Sequence, residues 1–200
     1  MSPESHLLGS WLIAAKTTDN ARDCRLVALA GILPDADGLG LIADIFNNSF
    51  RHKQTFYYAE YHHLYLHGAF GAVLITALLT FFARRRARVA VLVLAVFHLH
   101  LLCDLVGSRG PSKIDLWPIY YFGPFDLRHG MWLWYGQWRL DGWTNRIIGV
   151  VLFLWALWWS ARRDDSFVGV FNRRLDAIFV GVLHKWRRQL AEAWKRRKSA

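Results

Sequence analysis

The sequence predicts a mostly α-helical fold, a membrane-associated helical bundle that ends in an amphipathic basic helix. Three observations predict it. Hydrophobic residues make up 54% of the 200 residues, they fall into long apolar runs without strand-like alternation, and charged residues separate those runs, so that mean hydropathy is only +0.15. Apolar runs of this length without period-two alternation are typical of helices.

The net charge of the chain indicates which classes of partner it could bind. The formal net charge is +10 and the isoelectric point about 10.1, a balance that suits an anionic membrane surface or nucleic acid. Nucleic acid is disfavoured because the basic residues lie beside apolar runs and no known nucleic-acid-binding motif is present. Two cysteines can form at most one bridge, so the sequence predicts no disulfide scaffold.

The N-terminal elements follow from capping residues and prolines. Residues 2–4 (Ser-Pro-Glu) are typical of a helix start, and the helix is predicted to run to about Ala15. A polar loop is expected over Lys16–Asp23. A second apolar piece, Leu26–Leu33, stops at Pro34, because the residue before a proline disfavours helix.

The middle of the chain predicts a helical hairpin. Residues 35–38 (Asp-Ala-Asp-Gly) favour a turn, and Asn47–Tyr61 is polar and aromatic and is expected to be partly irregular. Leu64–Ala83 is an apolar run broken only by a histidine, near the length of a membrane-spanning helix. After the basic loop Arg84–Arg88, a second apolar run covers Val89–Cys103.

The last third begins with a long connection, Gly107–Gly142, rich in Gly, Pro and aromatic residues and therefore suspected of function. A third apolar run, Ile147–Trp159, follows. We divide the chain into residues 1–165, a helical membrane domain, and residues 166–200, the basic helix.

The basic helix combines an apolar stripe with a cationic face. Its apolar residues recur at helical spacing (Leu175, Phe179, Val182, Trp186, Leu190 and Ala193), and residues 171–200 hold nine Lys or Arg against two Asp or Glu. This pattern suits a helix lying on an anionic membrane surface. The alternatives are a solvated face that packs on the domain and a nucleic-acid arm.

Candidate metal ligands form four clusters, nearly all at the ends of apolar segments. They are His6; Asp35 and Asp37; His62, His63 and His67; and His100 with Asp104. The pairs His63/His67 and His100/Asp104 are four residues apart, so each pair is predicted to share a helix face, whereas His98 points elsewhere. Imidazole and carboxylate suit zinc or a similar divalent ion. Taken singly, each cluster also fits a turn or a structural hydrogen bond.

The hairpin brings the clusters together. In an antiparallel pair, His67 and His100 lie at the same end, roughly 27 Å from the arginine loop. The positive-inside tendency then places Arg84–Arg88, and Arg162 after the third run, in the cytoplasm. We therefore predict a multi-pass membrane protein with its site near the extracytoplasmic face, lined by the aromatic segment Trp117–Trp143.

The order of these motifs resembles a known family. The first motif is a histidine within Ser5–Gly9 (Ser-His-Leu-Leu-Gly), and the second is a Leu-Pro-Asp-x-Asp segment at Leu33–Asp37. A His-x4-His element follows at His62–His67. A His-x3-Asp element at His100–Asp104 and a Leu-Trp-Pro segment at Leu116–Pro118 complete the set. The set resembles the bacterial inner-membrane-bound, LexA-regulated metal-dependent hydrolases. It departs from them at Gly38 and His63, where the family often has His and Arg. The ligand pattern is also similar to that of the helical zinc phospholipase C and nuclease enzymes.

The resulting hypothesis is a membrane-bound metal-dependent hydrolase acting on phosphate esters, lipid-derived ones included, through a metal-activated water. One to three zinc or similar ions are expected. Asp35 or Asp37 is the predicted general base, and Arg109 and Lys113 are predicted to hold an anionic substrate, with ordinary loop solvation as their alternative. The competing hypothesis is a non-catalytic membrane protein with a structural or transport metal site.

Overall fold

The structure, a computed structural model, describes residues 1–199. Its α-helices are α1 (Pro3–Thr17), α2 (Ala21–Leu29), α3 (Gly40–Phe50), α4 (Tyr57–Tyr61), α5 (Ala69–Phe81), α6 (Arg86–Gly107), α7 (Trp143–Ser160) and α8 (Arg173–Ser199). Two-residue strands β1 (Ile119–Tyr120) and β2 (Met131–Trp132) pair antiparallel, and Pro34–Leu39 and Phe167–Val170 form 3-10 turns. The predicted mostly α-helical class is confirmed.

The loop between α1 and α2 is much shorter than predicted. The polar stretch from Lys16 is expected to be a loop, but α1 continues to Thr17 and α2 begins at Ala21. Asn20 is the reason, because its side chain accepts a hydrogen bond from the Asp23 amide at 2.9 Å and caps α2. The polar character of these residues therefore belongs to a helix cap rather than to a loop.

Two helices that the sequence does not predict, α3 and α4, lie between the first turn and the hairpin. α3 and α4 occupy most of the region expected to be irregular. Asp44, on α3, accepts hydrogen bonds from the amides of Tyr57 at 2.9 Å and Tyr58 at 2.8 Å, which satisfies two donors in the first turn of α4. The sequence gives no start signal for α3, because its N-cap is Leu39, which makes no side-chain capping bond, and no acidic residue lies in its first turn.

The helix α5 begins at Ala69, five residues later than the apolar run suggests. His63 has a φ of +70°, which ends any helix there. The Ala69 amide donates to the Tyr121 carbonyl at 2.7 Å, and this contact fixes where α5 starts. The prediction that His63 and His67 share a helix face is therefore wrong, because both lie in a loop.

The long helices alternate in direction, so the bundle has two distinct ends. At one end, the Arg84 and Arg85 amides donate to Asp23 at 2.8 and 3.1 Å, and Arg163 donates to the Ala15 carbonyl at 2.7 Å. We call this the arginine end. The start of α1, the start of α5 and the end of α6 meet at the opposite end, as the hairpin predicts.

The core lies where α1, α2 and α6 pack together, and it is built from Trp11, Val27, Val93, Phe97 and Leu101. The outward faces of α5, α6 and α7 are also apolar, with side chains that no other part of the described chain covers. Apolar surface of this extent marks an interaction with a membrane or a partner.

Within residues 1–199, α6 is the one helix that is long and apolar enough to cross a membrane, and its 22 residues rise about 33 Å. The pair Ala21–Leu29 and Pro34–Phe50, bent by 55°, adds a second candidate if it is one broken span. The run that contains α5 falls short of a predicted span because its first residues form the histidine loop. That leaves 13 helical residues, about 20 Å.

Candidate metal centre

Four side chains from three parts of the chain meet at the end of the bundle opposite the arginines. Asp35 comes from the first 3-10 turn, His67 from the loop before α5, and His100 and Asp104 from successive turns of α6. One ligand atom from each lies within 4.8 Å of the others. We call these four residues the metal centre.

The distances within the metal centre are those of a small cage. The His100 Nε2 atom lies 3.1 Å from His67 Nε2 and 3.0 Å from Asp104 Oδ2. Asp35 Oδ1 lies 3.7 Å from each of the two imidazole Nε2 atoms, and His67 Nε2 lies 3.5 Å from Asp104 Oδ2. A tetrahedral zinc ion with bonds of about 2.0–2.1 Å separates its ligand atoms by roughly 3.3 Å. The cage therefore has the size that such an ion requires.

Hydrogen bonds on the far side of each ring fix which nitrogen carries the proton. The Nδ1 of His100 lies 2.8 Å from the Gly31 carbonyl, which can only accept, so this nitrogen donates. The Nδ1 of His67 lies 3.0 Å from Asp37 Oδ2 and donates in the same way. When both rings are neutral, as metal ligands must be, each Nε2 atom carries a lone pair, and the two lone pairs face each other inside the cage.

Without a proton on His67 or a bound cation, the cage holds two carboxylates and no positive charge. Asp35 Oδ2 and Asp104 Oδ2 are buried, and neither accepts a hydrogen bond from any residue that the structure describes. Buried carboxylates without partners are costly. Burial by itself lowers the pKa of His67, but its contacts with Asp104, Asp35 and Asp37 raise that pKa well above its usual value. A divalent cation would supply the same positive charge beside these carboxylates, and imidazole and carboxylate are suitable ligands for it.

Asp104 is held in place by donors on its other oxygen. The His6 Nε2 atom lies 3.0 Å from Asp104 Oδ1, and the Ser108 hydroxyl donates to the same oxygen at 3.1 Å. The Met1 α-amino group also contacts it. With Oδ1 occupied in this way, Oδ2 points into the cage. His6 thus supports the metal centre through Asp104, and its own role as a ligand stays a prediction.

Asp37 lies behind the histidines. Its carboxylate accepts hydrogen bonds from His62 Nδ1 at 2.9 Å, from His67 Nδ1 at 3.0 Å and from the Leu66 amide at 3.2 Å. A carboxylate in this position fixes the tautomer and the orientation of a ligand imidazole. The geometry assigns Asp37 a positioning role, and its predicted roles as ligand and general base stay predictions.

His62, His63 and His67 form a second group of neighbouring ring nitrogens. Since His67 offers only Nε2, and that atom already faces the cage, a second ion would rely on His62 and His63. The Nδ1 of His63 is buried without a partner in the described chain. Burial is the main cause that holds the pKa of His63 well below its usual value, which favours the neutral ring. The full four-atom set supports one ion, and further ions stay a prediction.

A cavity of about 670 Å³ opens on the metal centre. Asp35, Asp104, His62 and His63 form its polar floor, and its walls are mainly apolar, with Leu39, Leu41 and Ile42 on one side and Trp117 on the other. The predicted contribution of the aromatic segment is confirmed at Trp117. A closed structural site would leave no such opening, whereas a reactive site needs one.

The two predicted substrate-binding residues differ. Arg109 lines the cavity, where it donates to the carbonyls of Gln137 at 2.9 Å and Ser112 at 2.8 Å. Lys113 is exposed and lies outside the cavity lining within residues 1–199. The structure therefore brings Arg109, but not Lys113, to the site.

Sequence reasoning missed three further residues at the site. Tyr58 lines the cavity, and burial together with the charge of Asp35 raises the pKa of its hydroxyl to about 12, so it is a neutral donor. Gly31 supplies the carbonyl that orients His100, and Ser108 orients Asp104. Of these three residues, only Ser108 could have been found from the sequence, because it lies four residues, about one helical turn, after Asp104.

Comparison with known proteins gives one match. The sequence profile described as YdjM inner membrane protein matches residues 1–164, which include every residue of the metal centre and end before α8. Neither a curated protein nor a solved structure matches the chain.

Proposed function

From the premise that the chain belongs to the YdjM inner membrane protein family, we propose that it is a membrane-bound metal-dependent hydrolase of phosphate esters. The observation that carries the proposal is a cage of four convergent acceptor atoms, two of whose residues, Asp35 and Asp104, line an open cavity. Asp35, His67, His100 and Asp104 would hold the ion, zinc or a similar divalent metal. Bound there, such an ion lowers the pKa of a coordinated water towards neutrality.

The residues around the cage suit the remaining steps of hydrolysis. The oxygen of a water forms a bond to phosphorus while the bond from phosphorus to the leaving alcohol breaks. Asp35 lines the cavity and its Oδ2 atom accepts no hydrogen bond in the described chain, so this carboxylate takes the proton of that water and passes it to the departing alkoxide. Asp37 is poorly placed for this, because both of its oxygens already accept hydrogen bonds.

Arg109 supplies positive charge at the cavity wall. Its hydrogen bonds to two backbone carbonyls hold the guanidinium in place. A fixed guanidinium beside the floor favours an anionic substrate such as a phosphodiester. Lys113 keeps a predicted role only if the loop that carries it moves toward the cavity when substrate binds.

The proposed topology places the metal centre near the extracytoplasmic face of a multi-pass protein. The support is the arrangement of charge: Arg84, Arg85, Arg88 and Arg163 all lie at the arginine end, and basic residues favour the cytoplasmic side. Regulation by LexA, which the family resemblance implies, concerns gene expression and stays a prediction.

The partner proposed for α8 is the anionic lipid surface. Val180 and Leu183 pack inward, while Leu175, Val182 and Trp186 form part of an exposed apolar stripe. Basic side chains flank that stripe, which is the composition of a helix lying in a membrane interface.

Metal analysis and hydrolysis assays on the detergent-solubilised protein test the proposal. We expect at least one zinc or similar ion per chain and metal-dependent cleavage of a phosphodiester such as bis(4-nitrophenyl) phosphate. His67→Ala and Asp104→Ala should abolish both. His98→Ala is the matched control, because His98 lies on α6 yet contacts Leu94 and Tyr121, outside the metal centre.

The outcomes separate the hypotheses. Purified protein that contains no metal would refute the assignment of a metal centre. Metal that is retained while phosphodiesters, phosphomonoesters and amides all stay intact would favour the structural or transport alternative. Cleavage that survives in Asp104→Ala would contradict the assigned ligands.

A further inference from the structure

A second cavity, of about 340 Å³, lies behind the metal centre between α1, α6 and α7. Val96, Leu99, Ile148 and Leu152 supply most of its apolar wall. Gly9 creates part of the space, since a Cβ atom added there would meet nothing within 4 Å. We call this cavity the rear groove.

The rear groove adjoins the metal centre at His100 and the larger cavity at Met1. His6 and His100 line the groove, with ring centroids 3.9 Å apart, and Met1 lines both the groove and the larger cavity. The far edge of each ring faces Asp104, through His6 Nε2 at 3.0 Å and His100 Nε2 at 3.0 Å. A molecule in the groove therefore lies against the imidazole of His100, and Met1, which lines both cavities, marks where its headgroup would reach the larger cavity.

The outer side of the rear groove borders the apolar surface of the bundle. Leu99 of α6 is 41% exposed, and the neighbouring Leu102 of α6 and Val151 of α7 are 52% and 55% exposed. Because the chain belongs to an inner membrane protein family, we take this exposed apolar surface to be the one that contacts lipid hydrocarbon. An apolar space of this kind stays dry and takes an apolar occupant.

We infer that the rear groove holds one hydrocarbon chain of an amphiphilic phosphate ester whose headgroup lies over the metal centre. The inference rests on the proposed function and narrows its substrate class from phosphate esters in general to lipid phosphoesters. A volume of 340 Å³ is at the lower end of ligand sites, which suits a single chain rather than a whole lipid. The polar headgroup is left to the larger cavity, where the carboxylates, imidazoles and Arg109 are.

A pair of phosphonates tests the groove without requiring turnover. Dodecylphosphonate and methylphosphonate share a headgroup that is not hydrolysed and differ only in the chain. With the metal-loaded, detergent-solubilised protein, we expect dodecylphosphonate to bind at least tenfold more tightly in isothermal titration calorimetry. Gly9→Phe should fill the groove and reduce that affinity by roughly tenfold, because burial of the chain is lost, while methylphosphonate binding stays within about twofold of the wild type.

Gly181→Phe is the matched control. It places the same side chain on α8, where an added Cβ likewise meets nothing within 4 Å, and dodecylphosphonate binding should not change. Equal binding of dodecylphosphonate by the wild type and Gly9→Phe would overturn the inference. If Gly9→Phe fails to fold, Gly9→Leu provides a smaller filling, and alkylation of Cys103 in the wild type provides a second readout. Cys103 lines the groove, so dodecylphosphonate should slow its reaction with N-ethylmaleimide and methylphosphonate should not.

The two proposals fail in different ways. Chain-dependent binding without hydrolysis of any ester would leave the groove in place and refute the hydrolase. Hydrolysis that is equally fast for long-chain and short-chain esters in both the wild type and Gly9→Phe would refute the groove alone.

Discussion

Replacing Asp37 by Asn tests whether this carboxylate orients the metal centre or belongs to it. Asp37 accepts three hydrogen bonds, from His62, His67 and the Leu66 amide. Asparagine keeps one oxygen that can accept a hydrogen bond, but its NH2 group replaces the other oxygen. That NH2 group is a donor and faces a histidine Nδ1–H, which is also a donor. One imidazole then loses its partner and with it the preference for the tautomer that leaves Nε2 free.

The expected magnitude follows from this lost bond. A hydrogen bond to a charged group contributes about 1.5–3 kcal/mol. The Asp37 and His67 side chains are 2% and 0% exposed, so solvent screens the interaction little. Loss of a supporting carboxylate typically weakens metal binding by about 10–100-fold, or about 1.4–2.7 kcal/mol. The two figures agree, and we expect Asp37→Asn to bind zinc about 10–100-fold more weakly than the wild type.

Competition with a chromophoric zinc chelator measures the affinity. Asp126→Asn is the matched control, because Asp126 accepts from the Nδ1 of His129 at 2.8 Å on the protein surface, and its zinc affinity should equal that of the wild type. Unchanged affinity in Asp37→Asn would refute the positioning role. Complete loss of zinc from a folded Asp37→Asn, equal to the loss in Asp104→Ala, would show that Asp37 is itself a ligand.

Three further predictions follow from the same geometry. Gly31→Ala should lower the free energy of unfolding by about 1–3 kcal/mol, because the added Cβ would lie 1.8 Å from the Ser10 hydroxyl. It should also weaken zinc binding by displacing the carbonyl that orients His100, and thermal unfolding with and without zinc measures both effects. Zinc affinity should fall as the pH drops from 8 to 5.5, since protons compete for the imidazole lone pairs, and a pH-independent affinity in chelator competition would count against histidine ligands. A fluorophore on Leu190→Cys should shift to the blue in anionic but not in zwitterionic nanodiscs, whereas the same label on Glu192→Cys should not shift; identical spectra at both positions would refute the surface-bound α8.

The sequence predicts best where local spacing determines the geometry. His100 and Asp104 lie one helical turn apart in a continuous apolar helix, so their common direction follows from the helix itself. The meeting of His67 with His100 also follows, because the short basic loop requires antiparallel neighbours. His67 Nε2 lies 3.1 Å from His100 Nε2 and 3.5 Å from Asp104 Oδ2, and both contacts form part of the metal centre.

The sequence predicts less where distant residues determine the local structure. His67 lies in a loop because Asp37 binds its ring and because the Tyr121 carbonyl receives the Ala69 amide. No local pattern around the histidines reveals these contacts. The distinction between Asp35, which faces the cavity, and Asp37, which faces away from it, has the same origin. Two carboxylates two residues apart look equivalent until the turn that holds them is known.

X-ray absorption at the zinc edge of the purified, zinc-loaded protein tests the metal centre most directly. The cage predicts one tightly held ion with nitrogen and oxygen ligands at about 2.0–2.1 Å and an imidazole scattering pattern, and His100→Ala should remove one imidazole from that pattern. A zinc spectrum without imidazole would contradict the metal centre. So would a protein that binds no zinc while ¹⁵N NMR shows both nitrogens of His67 protonated, because a proton would then supply the positive charge that we assign to a metal.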